Sequence, residues 1–204
     1  MDINEYFNRL NLQSDALIVA IVALALLLVL FLNRKRIQVG WREWRIQRSL
    51  GRIGSEQIRG LVCDDGLDGH YKIDRLALTP NSILLIAYRP YVGNIYCAES
   101  ISEWTQVIGQ KSFKFENPLF EIENQLTSLR LLIGDTPVRG YLFFNHSAEF
   151  PKGHPDAVLT PDNIPDEILS TSPEKVPAEI RAAWELLITH QKGAAENERV
   201  GVKT

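Results

Sequence analysis

The sequence predicts an α/β domain with a small mixed sheet and flanking helices, preceded by one transmembrane helix. Short aliphatic and aromatic runs bounded by Pro, Asn and Gly, which are typical of strands, alternate with longer segments whose apolar residues recur at helical spacing. An unbroken apolar run predicts the membrane span. The 204 residues suffice for one domain with a good core. We expect an N-terminal arm over 1–15, a transmembrane helix over 16–33, a basic juxtamembrane linker over 34–49, a domain over 50–192 and a disordered tail over 193–204.

The apolar run covers residues 16–32 and contains no charged residue. As a helix it rises about 1.5 Å per residue and therefore just crosses the apolar core of a bilayer. Asp15 precedes the run and Arg34-Lys35-Arg36 follows it, which is the reverse of the charge order in a cleaved signal peptide. Because Lys and Arg accumulate on the cytoplasmic flank, we expect a single-pass membrane protein with its N-terminus outside and its C-terminal domain in the cytoplasm.

Basic residues between positions 34 and 48 are interleaved with two tryptophans, and this pattern has two interpretations. Contact with anionic lipid contributes about 1 kcal/mol per cation, and Trp is favoured at the membrane interface. Binding of nucleic acid is the other interpretation, but the net charge of -3 and pI near 5.8 argue against a protein that coats nucleic acid. We favour lipid contact, through Arg34, Lys35, Arg36, Trp41 and Trp44.

The domain begins with apolar residues at helical spacing and continues as a β-hairpin and a third strand. A later helix has an apolar stripe and a terminal Gly, and two strands and a last helix follow. The predicted elements are a helix over Leu50–Val62, strands over Tyr71–Thr79 and Ile83–Arg89, a third strand ending at Cys97, a helix over Asn117–Gly134, strands over Val138–Asn145 and Ala157–Thr160, and a helix over Pro177–His190.

The hairpin carries the candidate site. A turn centred on Asn81 and Ser82 would place Asp74 opposite Arg89 and Leu76 opposite Ala87. Because side chains alternate between the faces of a strand, an acid and a base would meet on one face. We expect Asp74 and Arg89 to form a cross-strand ion pair.

Several motifs follow one another along the chain: Ile73-Asp74-Arg75-Leu76, Pro80-Asn81-Ser82, Ile83 to Ile86, Gly93-Asn94-Ile95-Tyr96, Trp104 and Asn117-Pro118. Their order and spacing resemble the nuclease-related domain (NERD) family, whose fold is of the PD-(D/E)xK nuclease type. The resemblance covers roughly Leu50 to Ile164. It implies a metal-dependent nuclease site in which an Asp on one strand and a Glu-x-Lys on the next hold a divalent cation and steady the attacking water.

This chain departs from the family at those positions. The family Glu-x-Lys is replaced by Ala87-Tyr88-Arg89, and Glu121 stands where the family has Gln after Asn-Pro. Ser55 follows Gly54 where the family has Glu, with Glu56 one place late. Asp74 alone keeps the family identity and is the candidate metal ligand. Arg89, Glu56 and Glu121 are the other vestigial candidates for the catalytic site.

Three functions follow from the resemblance. The favoured one is a membrane-anchored, catalytically impaired relative of the nucleases that binds nucleic acid or protein and needs no cofactor. The first alternative is an active nuclease with a rearranged site, in which Asp74 with Glu56 or Glu121 holds Mg²⁺ or Mn²⁺. The second is a protein-interaction module with no nucleic-acid role. The resemblance is compatible both with an enzyme and with a binding protein.

Overall fold

The computed structural model describes residues 3–64, 69–169 and 176–201, with side chains from residue 22 onward except at 35, 37, 42, 64 and 194–201. The chain divides into two compact units, Met1–Gln47 and Arg48–Thr204. Helix α1 (Ile3–Leu50) supplies the first unit, so the predicted juxtamembrane linker is helical. Its large apolar side chains between Val22 and Leu32 are exposed.

The predicted membrane span is covered only in part by these residues. Positions 16–21 of that span lie outside the residues whose side chains are described. Among the residues that are described, no helix is long and apolar enough to cross a membrane.

In its described residues, the second unit has two mixed sheets, two α-helices and a short 3-10 helix over Asp166–Ile168. Its elements are β1 (Glu56–Asp64), β2 (His70–Leu78), β3 (Ile83–Arg89), β4 (Gly93–Tyr96), β5 (Glu103–Ile108), β6 (Lys111–Glu116), α2 (Pro118–Ile133), β7 (Val138–Phe144), β8 (Ala148–Glu149), β9 (Val158–Leu159) and α3 (Ala178–Gly201). The larger sheet has the strand order β1-β2-β3-β7-β9, and the smaller has the order β6-β5-β4-β8.

The core lies between the larger sheet and the two helices and extends to Ile95 and Trp104 of the smaller sheet. Leu85 of β3 and Leu142 of β7 are completely buried in one cluster with Leu129 of α2 and Trp184 of α3. Each such side chain contributes roughly 1.5–3 kcal/mol through its removal from water. Leu84, on the same strand as Leu85, is also completely buried, so the central strand reads as a continuous apolar run.

The hairpin has the predicted strands but a different register. Leu76 pairs with Leu85 and Leu78 with Ile83, so the predicted pairing of Leu76 with Ala87 is wrong by two residues. The two-residue turn is Pro80-Asn81, closed by Thr79 and Ser82: the Thr79 N–H and hydroxyl both donate to the Ser82 carbonyl, at 3.1 and 2.6 Å. A shift of two keeps every side chain on its predicted face.

The predicted helix over Leu50–Val62 is wrong, because α1 ends at Leu50 and β1 begins at Glu56. Gly60 has a φ of 65°, which interrupts the extended backbone within the strand. Ile58 and Leu61 both join the core although they lie three residues apart. That spacing is the one that indicated a helix.

The smaller sheet corrects the prediction of a single small sheet. Hairpin β5–β6 has no predicted counterpart because β6 is mostly exposed and its Lys, Ser and Glu residues dilute the apolar pattern. Trp104 of β5 is completely buried, and its indole N–H donates to the Ala98 carbonyl at 3.0 Å. The third strand is confirmed, as β4 ending at Tyr96.

The predicted helix after Asn117 is confirmed, and its ends explain its position. The Asn117 side chain caps α2 by accepting from the Leu119 N–H at 3.0 Å, and Pro118 follows at a position where helices tolerate proline. Gly134, with a φ of 64°, ends the helix. Helix α3 begins where predicted and continues to Gly201, past the Gly193 start of the predicted tail.

Candidate functional site

Asp74 on β2 and Arg89 on β3 form the predicted ion pair, with the Arg89 Nη1 3.7 Å from the Asp74 Oδ2. The pair is diagonal, since continuing the observed register by one residue places Ala87, and not Arg89, opposite Asp74. Asp74 also accepts from the Tyr88 backbone N–H at 3.3 Å. Diagonal neighbours on one face are within reach of a side chain as long as arginine.

Glu121, in the first turn of α2, completes the group. Its Oε2 lies 2.5 Å from the Arg89 Nη2, and its Oε1 accepts from the Gln125 side-chain amide at 3.1 Å. The Arg89 side chain is only 15 % exposed, whereas those of Asp74 and Glu121 are about half exposed, at 48 % and 50 %. Asp74, Arg89 and Glu121 are called the Arg89 cluster below: one guanidinium between two carboxylates.

The close approach of α2 to the sheet brings Glu121 to Arg89. Strand β7 lies parallel to β3, and a Cβ at Gly140 of β7 would be 2.2 Å from the Ile122 Cγ2. No side chain fits there, so glycine lets α2 pack directly on the backbone of β7. Glu121 precedes Ile122 in the chain and is therefore held beside the end of β3.

Ala87 occupies the position where the family resemblance implies a metal-binding carboxylate. It is 2 % exposed and belongs to the apolar core. A methyl group therefore faces Asp74 across the ladder. Among the residues that the structure describes, no three His, Cys, Asp or Glu side chains come together as metal ligands.

Glu56 is not part of this group, so its placement beside Asp74 as a companion is wrong. Its carboxylate accepts from Arg181 Nη1 at 2.5 Å and from the Trp184 indole at 3.0 Å, both on α3. Glu56 pairs with Leu78, four residues along β2 from Asp74, which is a distance of roughly 13 Å. This carboxylate anchors α3 to β1.

The next residue, Arg75, is a second cation near Asp74 but faces away from the Arg89 cluster. It is buried and donates to the Gln57 side-chain oxygen. Its burial, and then the charge of Arg59, lower the pKa of Arg75 to about 10. Arg75 thus links β2 to β1 through Gln57.

The proposed membrane-surface residues lie on α1. The guanidinium of Arg34 stands 4.5 Å from the centre of the Phe31 ring, and the Trp41 and Trp44 rings meet edge to face at 5.7 Å. Arg36, Trp41 and Trp44 are exposed, and the Lys35 side chain lies outside the described residues.

A cleft of about 840 Å³ opens beside Arg89 and Glu121 and was missed by the sequence reasoning. Its acidic lining residues are Glu103, Glu116 and Glu121, and its aromatic ones are Tyr91, Phe115 and Phe120. These six residues define what is called the acidic cleft below. Three of them come from the unpredicted β5–β6 hairpin, so no sequence signal could have assembled it.

The comparison with family models agrees with this geometry. The model of the nuclease-related domain, NERD, matches residues 41–145, more than half of the chain. That range includes the β2–β3 hairpin, the Arg89 cluster and α2. No match was found among curated proteins or among solved structures. A mixed α/β unit with this hairpin at its centre fits a nuclease-like fold, and the chain belongs to the nuclease-related domain family.

Proposed function

We propose that this protein is a catalytically impaired member of its family, in which a salt bridge replaces the metal centre and the domain acts by binding. The observation that carries the proposal is the position of the Arg89 guanidinium between the carboxylates of Asp74 and Glu121. A bound cation would need the Asp74 carboxylate, which Arg89 occupies here.

The residues present do not fit a divalent metal ion. Mg²⁺ is held by one or two carboxylates in near-ideal octahedral geometry, with waters and substrate phosphates as its other ligands. Ala87 offers no oxygen, and the fixed positive charge of Arg89 stands where it would repel a cation. Arginine also lacks the deprotonated state that a lysine can reach, so it is a poor substitute in proton transfer.

One observation favours the alternative of an active nuclease. Asp74 and Glu121 both lie within reach of one guanidinium, and both are about half exposed. If Arg89 swung away, two carboxylates would remain near each other. The alternative therefore requires Arg89 to leave both partners, which its 15 % exposure and short contact to Glu121 oppose.

A cleavage assay separates these two functions. The purified full chain is incubated with labelled DNA and RNA in the presence of Mg²⁺ or Mn²⁺, with the Asp74→Ala variant as the matched control. We expect no cleavage above that of the variant. Metal-dependent cleavage that Asp74→Ala abolishes would refute the impaired-enzyme proposal.

We also propose that residues 16–33 anchor the chain in a membrane with the domain in the cytoplasm. The apolar run without charges and the exposed side chains from Val22 to Leu32 support the anchor, and the basic residues after the run support the orientation. A reporter fused after Thr204 should be active only in the cytoplasm. Reporter activity on the other side of the membrane would contradict the orientation.

A further inference from the structure

The acidic cleft carries negative charge that the rest of the described structure does not neutralise. Glu103 and Glu116 pair directly across the β5–β6 ladder, so two carboxylates face each other on one side of the sheet. Like charges in that arrangement are destabilising. Lys114 neutralises Glu103 at 3.0 Å, whereas the Glu116 side chain is exposed and its carboxylate makes no ion pair or hydrogen bond with the described residues.

The positive groups of the cleft are already engaged. Arg89 is bound between Asp74 and Glu121. The N-terminal amides of α2 are also occupied, because the Leu119 N–H donates to the Asn117 side chain and the Phe120 N–H to the Asn117 carbonyl. An anion entering the cleft would find no free cation among the described residues that line it and would meet the Glu116 carboxylate.

Aromatic side chains give the cleft an apolar wall. Tyr91 and Phe115 pack with their ring centres 4.5 Å apart, and Phe120 is 50 % exposed at the first turn of α2. Ring faces beside carboxylates attract a guanidinium or an ammonium group, and they also cover an adjacent apolar side chain. The volume of about 840 Å³ lies within the range of pockets that enclose several such groups.

We propose that the acidic cleft binds a segment of a protein partner in which an arginine or lysine lies beside an aromatic or aliphatic residue. This inference rests on the proposed function and deepens it, because it decides between nucleic acid and protein as the partner. Nucleic acid would bring phosphates against Glu103 and Glu116 without a metal ion to offset them. A basic segment instead supplies the charge that the Glu103–Glu116 pair lacks.

The test uses the full chain in a neutral detergent and fluorescence anisotropy with three labelled probes. They are a glycine peptide with two arginines and one leucine, the same peptide with glutamate in place of arginine, and a single-stranded DNA oligonucleotide. Glu116→Lys and Phe120→Ala change the cleft. Glu123→Lys, an equal charge change at an exposed position of α2 outside the cleft, is the matched control.

We expect the arginine peptide to bind and the glutamate peptide not to bind. Glu116→Lys should lower the affinity for the arginine peptide by about tenfold, and Glu123→Lys should lower it by less than about twofold. Phe120→Ala should also lower the affinity for the arginine peptide. Glu116→Gln, the smallest change to the surface, should lower this affinity by a few fold. Unfolding curves of each variant check that the domain is intact.

Two results would overturn the proposal. One is arginine-peptide binding that is absent or is the same for wild type and Glu116→Lys. The other is oligonucleotide binding that Phe120→Ala weakens and Glu116→Lys strengthens, which would make the cleft a nucleic-acid site. The cleavage assay gives a separate readout, so a nuclease activity would refute the impaired-enzyme proposal without deciding what occupies the cleft.

Discussion

The carboxylate of Asp74 and the guanidinium of Arg89 are paired at 3.7 Å although the two residues are not opposite each other in the β2–β3 ladder. Ala87 is the residue of β3 that lies opposite Asp74, and Arg89 lies two positions further along β3. The long side chain returns along the strand and meets Glu121 of α2 as well. Arg89 thus joins the hairpin to the helix across the position of the missing family carboxylate.

Removing the charge of Arg89 should destabilise the domain. Arg89→Met keeps the hydrophobic stem but leaves Asp74 and Glu121 without their shared cation, so we expect the free energy of unfolding to fall by about 1–2 kcal/mol. Urea unfolding followed by the fluorescence of the buried Trp104 and Trp184 measures it. Glu103→Ala, which breaks an exposed pair with Lys114, is the control and should cost less than about 0.5 kcal/mol. Equal losses in both variants would contradict a special role for Arg89.

The contact between Asp74 and Arg89 could be predicted from the sequence because it requires only that both side chains lie on the same face of the sheet. A shift of the register by an even number of residues does not change that face. The turn was placed one residue late along the chain, which moved the pairing by two residues and left the faces unchanged. Glu121 could be named from its family position, but its contact with Arg89 depends on how closely α2 packs on β7. That packing depends on Gly140, whose importance no local pattern indicates.

Elements with an irregular or weak apolar pattern could not be predicted from the sequence. Gly60 allows Ile58 and Leu61 of a strand to share one core, which imitates a helix. Strand β6 is too exposed to be recognised, so the smaller sheet and the acidic cleft were missed. Glu56 was named as a site candidate because it lies one residue after the position where the family has Glu. Its partners Arg181 and Trp184 come from the far end of the chain.

Restoring the family residues should create a metal site. In the double variant Ala87→Glu with Arg89→Lys, a second carboxylate faces Asp74 and the fixed guanidinium is gone. We expect this variant to be less stable than wild type in chelator, because a buried carboxylate is added, and to gain several degrees in Tm with Mn²⁺. Ala87→Gln with Arg89→Lys is the uncharged control and should not respond. Stabilisation of wild type by Mn²⁺ would show that the natural residues already bind a metal.

The Cys97 thiol should resist alkylation near neutral pH. Partial burial raises its pKa from 9.0 to about 11, and its thiol donates to the Gly153 carbonyl at 3.8 Å. Because the thiolate is the nucleophile, the rate with iodoacetamide should rise about tenfold per pH unit between about pH 8 and pH 10 in the folded protein. Stability that depends on the protonated thiol is present below pH 9.0 and is lost as the pH rises towards about 11. Mass spectrometry of Cys97 follows the reaction, and a rate that levels off near pH 9 would contradict the raised pKa.

The last prediction concerns Gly140, which sets the distance between α2 and the sheet. In Gly140→Ala the new Cβ would lie 2.2 Å from the Ile122 Cγ2 and 3.1 Å from the Leu126 Cδ1, so α2 must move outwards. Overpacking of this kind costs about 1–3 kcal/mol, and the movement should also separate Glu121 from Arg89. In this background Arg89→Met should therefore cost less than it does in wild type, as a double-mutant cycle would measure.

A second substitution distinguishes this clash from a general effect of alanine in β7. Ile122→Ala removes the contacting Cγ2, so the double variant Gly140→Ala with Ile122→Ala should be more stable than the sum of the two single losses predicts. Gly109 lies at a turn where no atom is within 4 Å of the new Cβ. Gly109→Ala should therefore lower the stability only through the backbone strain of its φ of 60°. It should leave the coupling between Arg89 and Glu121 unchanged. Strictly additive losses at Gly140 and Ile122 would show that α2 does not rest on the backbone of β7, and the contact that holds Glu121 beside Arg89 would then need another cause.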